Sequence, residues 1–167
     1  MRLFRAPPLF MLPALCACDP DCGDPSRMDG RHRVWSNVVE HSPPVDSVPE
    51  EYPATEIFYN GYSEWHMRYV ASQHAFDLGV DDQKYSATYT RDPENCNAFQ
   101  LAFGGVFVTA SGARHDFSWA GDLVYFGNHL GGTWEYTSDW SDPATSGSGY
   151  VQASGELRAT SADDTGL

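Results

Sequence analysis

Few residues of this sequence combine side-chain type and spacing in a way that suits catalysis or metal binding. Glu64 and His66 stand two residues apart in a stretch of alternating polar and apolar residues, so they share one face of a strand. A carboxylate and an imidazole on one face could exchange a proton or bind zinc, but one pair is only half of such a site. We expect an exposed polar face at Glu64 and His66, and an envelope hydrolase that uses both is the alternative.

The other patterns associated with catalysis or metal binding are incomplete. The stretch 61–65 resembles a nucleophile elbow but ends in Trp65, where the tight turn needs glycine. The acidic stretch 19–24 looks like a calcium loop, but Asp24 and Gly30 occupy the places where that loop needs glycine and glutamate. The sequence therefore predicts a protein that is not an enzyme and that carries no cofactor and no metal.

Four of the five tryptophans fall into two groups. Trp65, Trp119 and Trp134 alternate in phase with other apolar residues, which predicts that they lie in the core. Trp140 stands between acidic residues in the polar stretch 138–143, which we interpret as a loop. An exposed Trp140 could contact a sugar or a peptide, and a ring folded back over the end of the domain fits equally well.

Length and charge limit the class of protein. The chain has 167 residues, 10 Lys and Arg against 23 Asp and Glu, and a net charge of -13. One domain is expected at this length, and the 41% hydrophobic residues exclude a disordered chain. A nucleic-acid partner is not expected, because affinity for the phosphate backbone depends on clustered Lys and Arg.

Residues 1–18 have the layout of a secretory signal. Arg2 and Arg5 precede an apolar stretch over 6–15, and Leu15-Cys16-Ala17-Cys18 follows it. These four residues match the lipobox, and the segment resembles the signal peptides of bacterial lipoproteins. The resemblance implies cleavage before Cys18, lipid attachment at Cys18 and a membrane-anchored location in the cell envelope, with the choice of inner or outer membrane open. Ordinary secretion and a cytosolic location are the alternatives.

Processing would change both the charge and the cysteine content. Removal of residues 1–17 takes away Arg2 and Arg5, so the net charge becomes -15. With Cys18 lipidated, Cys22 and Cys96 remain, and an even pair in an oxidising compartment predicts a disulfide. The bridge would close a loop of about 74 residues, worth roughly 4 kcal/mol in the chain-entropy model. Two separate thiols are the alternative.

The chain divides into four segments by composition. Residues 1–17 are the signal peptide, 18–30 an acidic tether rich in Pro and Gly, 31–160 a β domain and 161–167 a disordered tail. Within the β domain, the proline-rich stretch Ser42–Pro53 is expected to be a linker between the first strand and the rest.

A period of two predicts strands through most of the β domain. The double glycine Gly104-Gly105 predicts a turn that joins two of these strands in a hairpin. His115 and Asp116 should point to opposite faces of their strand, and His129 should be exposed in a turn. The predicted strands are 34–39, 55–59, 63–70, 84–91, 99–103, 106–109, 114–120, 132–137 and 150–158.

These strands predict an all-β fold, an antiparallel meander of about eight to nine strands. A small up-and-down barrel of the lipocalin or avidin kind is favoured over a β-sandwich because the turns between consecutive strands are short. The functional prediction is a lipid-anchored envelope protein whose non-catalytic β domain is a structural or binding module. Its ligand would be a small molecule or a glycan, and a hydrolase or a carbohydrate-binding module is the alternative.

Overall fold

The computed structural model describes residues 24–42, 61–81, 83–108 and 112–162. Its eight strands form a closed antiparallel barrel in which each strand pairs with the next and β8 pairs with β1. The up-and-down barrel is therefore confirmed, and the β-sandwich alternative is wrong. A 3-10 helix, Pro25–Met28, precedes the strands β1 Gly30–Ser42, β2 Gly61–Val70, β3 Ala75–Val80, β4 Gln83–Arg91, β5 Ala98–Val108, β6 Arg114–Phe126, β7 His129–Asp142 and β8 Gly147–Ser161.

Alternation of apolar and polar residues explains why these segments form barrel strands. In β6, buried and exposed residues alternate along most of its 13 residues. Phe117, Trp119 and Leu123 point inward and are buried, whereas Asp116 and Ser118 are exposed. The period-two prediction is confirmed here, because one face of a barrel strand lines the core and the other faces water.

One predicted hairpin is wrong. Gly104 and Gly105 lie inside β5, whose pairing with β6 runs without interruption from Ala98 to Val108. A Cβ atom at Gly104 would lie 2.5 Å from the carbonyl oxygen of Phe117. The glycine therefore permits a close approach of two backbones rather than a turn.

The strand boundaries also differ from the predicted ones. β3 was not predicted, although Phe76, Leu78 and Val80 alternate with the exposed Asp77 and are buried. β6, β7 and β8 each extend beyond the predicted ends. The predicted strand 55–59, most of the predicted linker Ser42–Pro53 and the end of the chain from residue 163 lie outside the described residues.

Aromatic rings fill the middle of the barrel. The ring centroids of Phe103 and Trp119 are 4.9 Å apart in a stacked arrangement, and Trp65 meets Trp119 edge to face at 5.6 Å. Phe117 packs against Tyr85 at 5.6 Å. Trp65 and Trp119 are only 2% and 1% exposed, so the prediction of ring-bearing core faces is confirmed for these residues.

The 3-10 helix closes one end of the barrel, which we call the capped end. Met28 is 1% exposed, and its carbonyl oxygen accepts a hydrogen bond of 2.8 Å from Nε2 of the buried His32. The Asp29 carboxylate accepts a hydrogen bond from the backbone N–H of Tyr69 at 2.6 Å. The end of the predicted tether 18–30 therefore contacts the barrel at Met28 and Asp29.

The turns alternate between the two ends of the barrel. The turns after β2, β4 and β6 lie at the capped end, and the backbone N–H of Ser161 donates to the Asn128 carbonyl oxygen there at 3.0 Å. The turns after β3 and β7 lie at the opposite end, which we call the distal end. In the part of the chain that the structure describes, no helix has both the length and the apolar character needed to cross a bilayer.

Candidate functional site

Glu64 and His66 lie together on the outer face of β2. The Oε1 atom of Glu64 accepts a hydrogen bond from His66 Nε2 at 2.9 Å. Their side chains are 38% and 52% exposed, respectively. The structure thus brings the two predicted site residues into direct contact on a water-facing surface.

A third residue, Arg31 on β1, completes this contact. Arg31 is the cross-strand partner of His66 and reaches Glu64 diagonally. Its Nη2 atom lies 2.7 Å from Oε1 and 2.8 Å from Oε2 of Glu64, and its Nε atom lies 3.1 Å from Oε1. Fork geometry of this kind satisfies both carboxylate oxygens at once. The hydrogen bonds from Arg31 first, and then from His66, hold the pKa of Glu64 below its ordinary value of 4.5.

The turn after β3 holds the backbone at this position. The backbone N–H of Glu64 donates to Asp81 Oδ1 at 3.0 Å, and the backbone N–H of Asp81 donates to the Glu64 carbonyl oxygen at 2.9 Å. Asp81 has a φ of 49°, a conformation that Asp tolerates better than most residues. The turn therefore fixes the start of β2 and with it the direction of the Glu64 side chain.

A groove with a volume of about 870 Å³ runs beside these residues across β1 to β4. Its floor includes Gly79, which stands between His66 and Lys84 in the cross-strand register. A second ion pair, Arg68 with Asp77, bounds it toward the capped end, and the bond to Asp77 raises the pKa of Arg68. The groove is polar and carries charges of both signs.

The chemistry available in this groove is recognition of polar groups. Glu64 is a poor general acid, because its pKa is lowered, and a weak base, because both its oxygens already accept hydrogen bonds. Across the described ranges, no group of three or more His, Cys, Asp or Glu is placed to hold a metal ion. Arg31 and His66 can instead present donors, and Glu64 acceptors, to a ligand lying over Gly79.

Two other histidines, His115 and His129, lie apart from this cluster. His115 points into the barrel, is 2% exposed and stacks on Phe107 with a centroid distance of 4.6 Å. Burial lowers its pKa. Asp116 faces outward, so the prediction of opposite faces is confirmed. His129 is exposed as predicted, at the first position of β7.

Trp140 is not in a loop. It lies in β7, paired with Gly149 of β8 and His115 of β6, and is partly buried against the core. A Cβ atom at Gly149 would lie 2.6 Å from Trp140 Nε1, so the ring packs directly over that glycine. The interpretation of the stretch 138–143 as a loop is therefore wrong, and a role of Trp140 in ligand contact stays a prediction.

The cysteines are only partly within the described residues. Cys96 lies half-buried in the turn between β4 and β5. Cys18 and Cys22 lie outside the described residues. The pairing with Cys22 and the lipid on Cys18 stay predictions.

Sequence reasoning did not identify Arg31, Gly79 or Lys84 as site residues. Their place in the groove depends on the register of three strand pairs, which alternation alone does not determine. Recognition of β3 would have placed Gly79 opposite His66. No protein-family model matches the chain, and comparison with curated proteins finds no match.

Proposed function

We propose that this protein is a lipid-anchored component of the bacterial cell envelope and that its barrel is a non-catalytic binding module. The observation that carries the binding role is the arrangement of Arg31, Glu64 and His66. Both carboxylate oxygens of Glu64 accept hydrogen bonds from Arg31, and Oε1 also accepts one from His66. This arrangement favours a fixed recognition surface over a reactive acid or base.

The position of the ligand follows from how the barrel is filled. The rings of Trp65, Phe103 and Trp119 fill the middle of the barrel. The barrel interior therefore lacks the deep cavity in which a small-molecule carrier holds its ligand. The outer groove of about 870 Å³ offers charged and amide groups beside the bare backbone of Gly79. We propose that it takes a small polar molecule or a glycan, because hydroxyl groups can bond to such donors and acceptors.

The anchoring part of the proposal is supported by the lipobox residues Leu15 to Cys18. We propose with it a disulfide at Cys96, because such bonds persist in the oxidising compartments to which a lipoprotein is exported. We propose Cys22 as its partner, because Cys16 would be removed with the signal peptide and Cys18 would carry lipid.

Anchoring is tested by metabolic labelling with a fatty acid. Cys18→Ser should abolish the label and release the protein from the membrane fraction, whereas Cys16→Ser, two residues earlier, should leave both unchanged. Equal labelling of the Cys18→Ser protein would show that the lipid is not attached there.

The binding role is tested by titrating the barrel with neutral, acidic and basic saccharides while its amide NMR signals are followed. The groove residues His66, Gly79 and Lys84 should shift together, and Lys84→Ala should weaken the binding. Ala substitution of Arg114, a cation on β6 outside the groove, is the matched control. Turnover of an ester, amide or glycoside that disappears in Glu64→Gln would instead support the hydrolase.

A further inference from the structure

We propose that the capped end of the barrel is a docking surface for the lipid bilayer, and that the distal end points away from the membrane. This inference depends on the proposed lipid anchor at Cys18. It concerns a different property, namely which surface of the barrel meets the lipid headgroups and which surface stays free for a partner.

The first step is that the chain enters the barrel at a fixed place. The Nη2 atom of Arg27 donates to Asn97 Oδ1 at 2.8 Å, and the Tyr125 hydroxyl donates to the Arg27 carbonyl oxygen at 3.1 Å. Met28, directly after it, is 1% exposed. These contacts hold the segment before β1 against the turn after β4 and the end of β6, both at the capped end.

The second step is the length of chain between the lipid and this place. Five residues lie between Cys18 and Asp24, and the six residue-to-residue steps span at most about 20 Å when fully extended. A strand of 13 residues such as β6, tilted as barrel strands are, makes the barrel roughly 30 Å long. The capped end therefore stays near the bilayer surface. A bridge between Cys22 and Cys96 would shorten the free chain to the three residues 19–21.

Charge favours the same orientation. The capped end comprises the 3-10 helix with its flanking residues, the adjoining turns and the four residues of each strand that lie nearest to this end. β3 has six residues and is divided at its middle. The positive charges there are Arg27, Arg31, Arg33, Arg68, Arg91 and Arg158. The negative charges are Asp24, Asp29, Asp77, Asp92 and Glu94.

The distal end, counted in the same way over its described residues, is acidic. Its positive charges are Lys84 and Arg114. Its negative charges are Glu40, Asp81, Asp116, Asp139 and Asp142, and Glu64 is paired with Arg31 of the capped-end set. Anionic headgroups repel such a surface and tolerate the balanced capped end. Along the walls, Asp122, Glu135 and Glu156 disfavour a barrel lying on its side.

Exposed large apolar side chains lie at both ends of the barrel: Val39, Tyr62, Val106, Val108 and Tyr150 at the distal end, and Val124 and Phe126 at the capped end. The position of the anchor, together with the acidic charge of the distal end, selects the capped-end pair for contact with lipid. Phe126, the last residue of β6, is 75% exposed, and Val124 on the same outer face is 45% exposed. Both lie at the capped end, beside the turn that leads into β7. Apolar side chains at a headgroup surface gain by entering the boundary between headgroups and acyl chains. Phe126 is therefore expected to insert when the anchor holds the capped end against the bilayer.

Hydroxyl-radical footprinting tests this orientation without changing any reporter residue. The mature chain, beginning at Cys18 and with its disulfide intact, is coupled through the Cys18 thiol to phosphatidylcholine vesicles that contain a maleimide headgroup lipid. Oxidation of Phe126 at the capped end should fall several-fold relative to the free protein. Oxidation of Tyr62 and Tyr150, which are 83% and 52% exposed near the distal starts of β2 and β8, should not change.

A reversed attachment provides the control. Ala144 is exposed in the turn after β7, so a Cys18→Ser, Ala144→Cys chain is coupled through the distal end. It should protect Tyr150 and leave Phe126 reactive. If the chain coupled through Cys18 protects Tyr62 or Tyr150 as much as Phe126, or protects none of them, the proposed orientation is wrong while the anchor stands. Absence of fatty acid from Cys18 in cells would overturn the anchor, and the docking surface with it, whatever the footprint.

Discussion

The hydroxyl of Tyr125 donates a hydrogen bond to the carbonyl oxygen of Arg27, and the guanidinium of Arg27 lies over the Tyr125 ring at 5.2 Å from its centroid. These two contacts join the end of β6 to the segment that precedes β1. The Tyr125 side chain thus binds both the carbonyl oxygen and the guanidinium group of Arg27. The capped end owes its closure to this pair together with the buried Met28.

Tyr125→Phe should lower the free energy of unfolding by about 1 kcal/mol, because the Arg27 carbonyl oxygen loses its donor in a partly buried place. Denaturant titration measures this change. Tyr150→Phe is the matched control, since Tyr150 is 52% exposed, and it should leave the midpoint unchanged. Equal midpoints for Tyr125→Phe and the parent would show that the contact does not stabilise the cap.

Trp119→Ala should destabilise the barrel by roughly 3–5 kcal/mol, since the lost burial leaves a cavity among stacked rings. Thermal or denaturant unfolding gives the value. Tyr62→Ala, which removes an 83% exposed ring, and His66→Ala on the wet face should each change the stability by less than about 0.5 kcal/mol. A Trp119→Ala protein of normal stability would contradict the ring-packed core.

Gly155→Ala should destabilise by roughly 1–3 kcal/mol or more, because overpacking forces side chains and backbone to shift. Its Cβ atom would lie 1.9 Å from the Asn37 carbonyl oxygen and 2.6 Å from the Trp134 ring. At Gly131 the same atom would meet only the Leu157 carbonyl oxygen, at 3.5 Å. Gly131→Ala should therefore be much milder, and similar unfolding midpoints for the two variants would contradict the packing described here.

Arg31→Ala should raise the pKa of Glu64 toward its ordinary value of 4.5, because the largest cause of its lowered pKa is removed. Carboxyl carbon NMR titration measures the shift. A lowered folded pKa stabilises the protein above the ordinary pKa, and this stabilisation is lost as the pH falls through the folded value. The parent should thus lose more stability on acidification than Arg31→Ala. Arg114→Ala removes a cation that lies outside the cluster. In this variant Glu64 should titrate as it does in the parent protein.

The fold class could be predicted from the sequence because inward and outward residues alternate. Trp65 and Met67 against His66 and Arg68 already gave the faces of β2, and both inward residues are buried. The same alternation is present from Phe76 to Val80, so β3 was within reach of sequence reasoning. Closure of the barrel was favoured by short turns, but alternation is the same in a barrel and a sandwich.

The site could be predicted only in part. Glu64 and His66 share a face by spacing alone, whereas Arg31 joins them across a gap of 33 residues in sequence. Strand register determines that contact, and no local pattern reports it. Gly104-Gly105 and the stretch around Trp140 gave wrong predictions because turn-forming residues also occur inside strands. Gly104 makes room for the Phe117 backbone and Gly149 of the neighbouring strand makes room for the Trp140 ring, and only the packed structure reveals these contacts.

The lipid anchor is the central claim of this account, and the N-terminal peptide of the mature protein tests it most directly. The protein is purified from the membrane fraction of its cells, digested with a protease and analysed by mass spectrometry. The peptide should begin at Cys18 and carry a diacylglyceryl group, so that its mass exceeds that of the unmodified peptide by the mass of the lipid. A mature protein that begins at any other residue, or an unmodified Cys18, would contradict the claim.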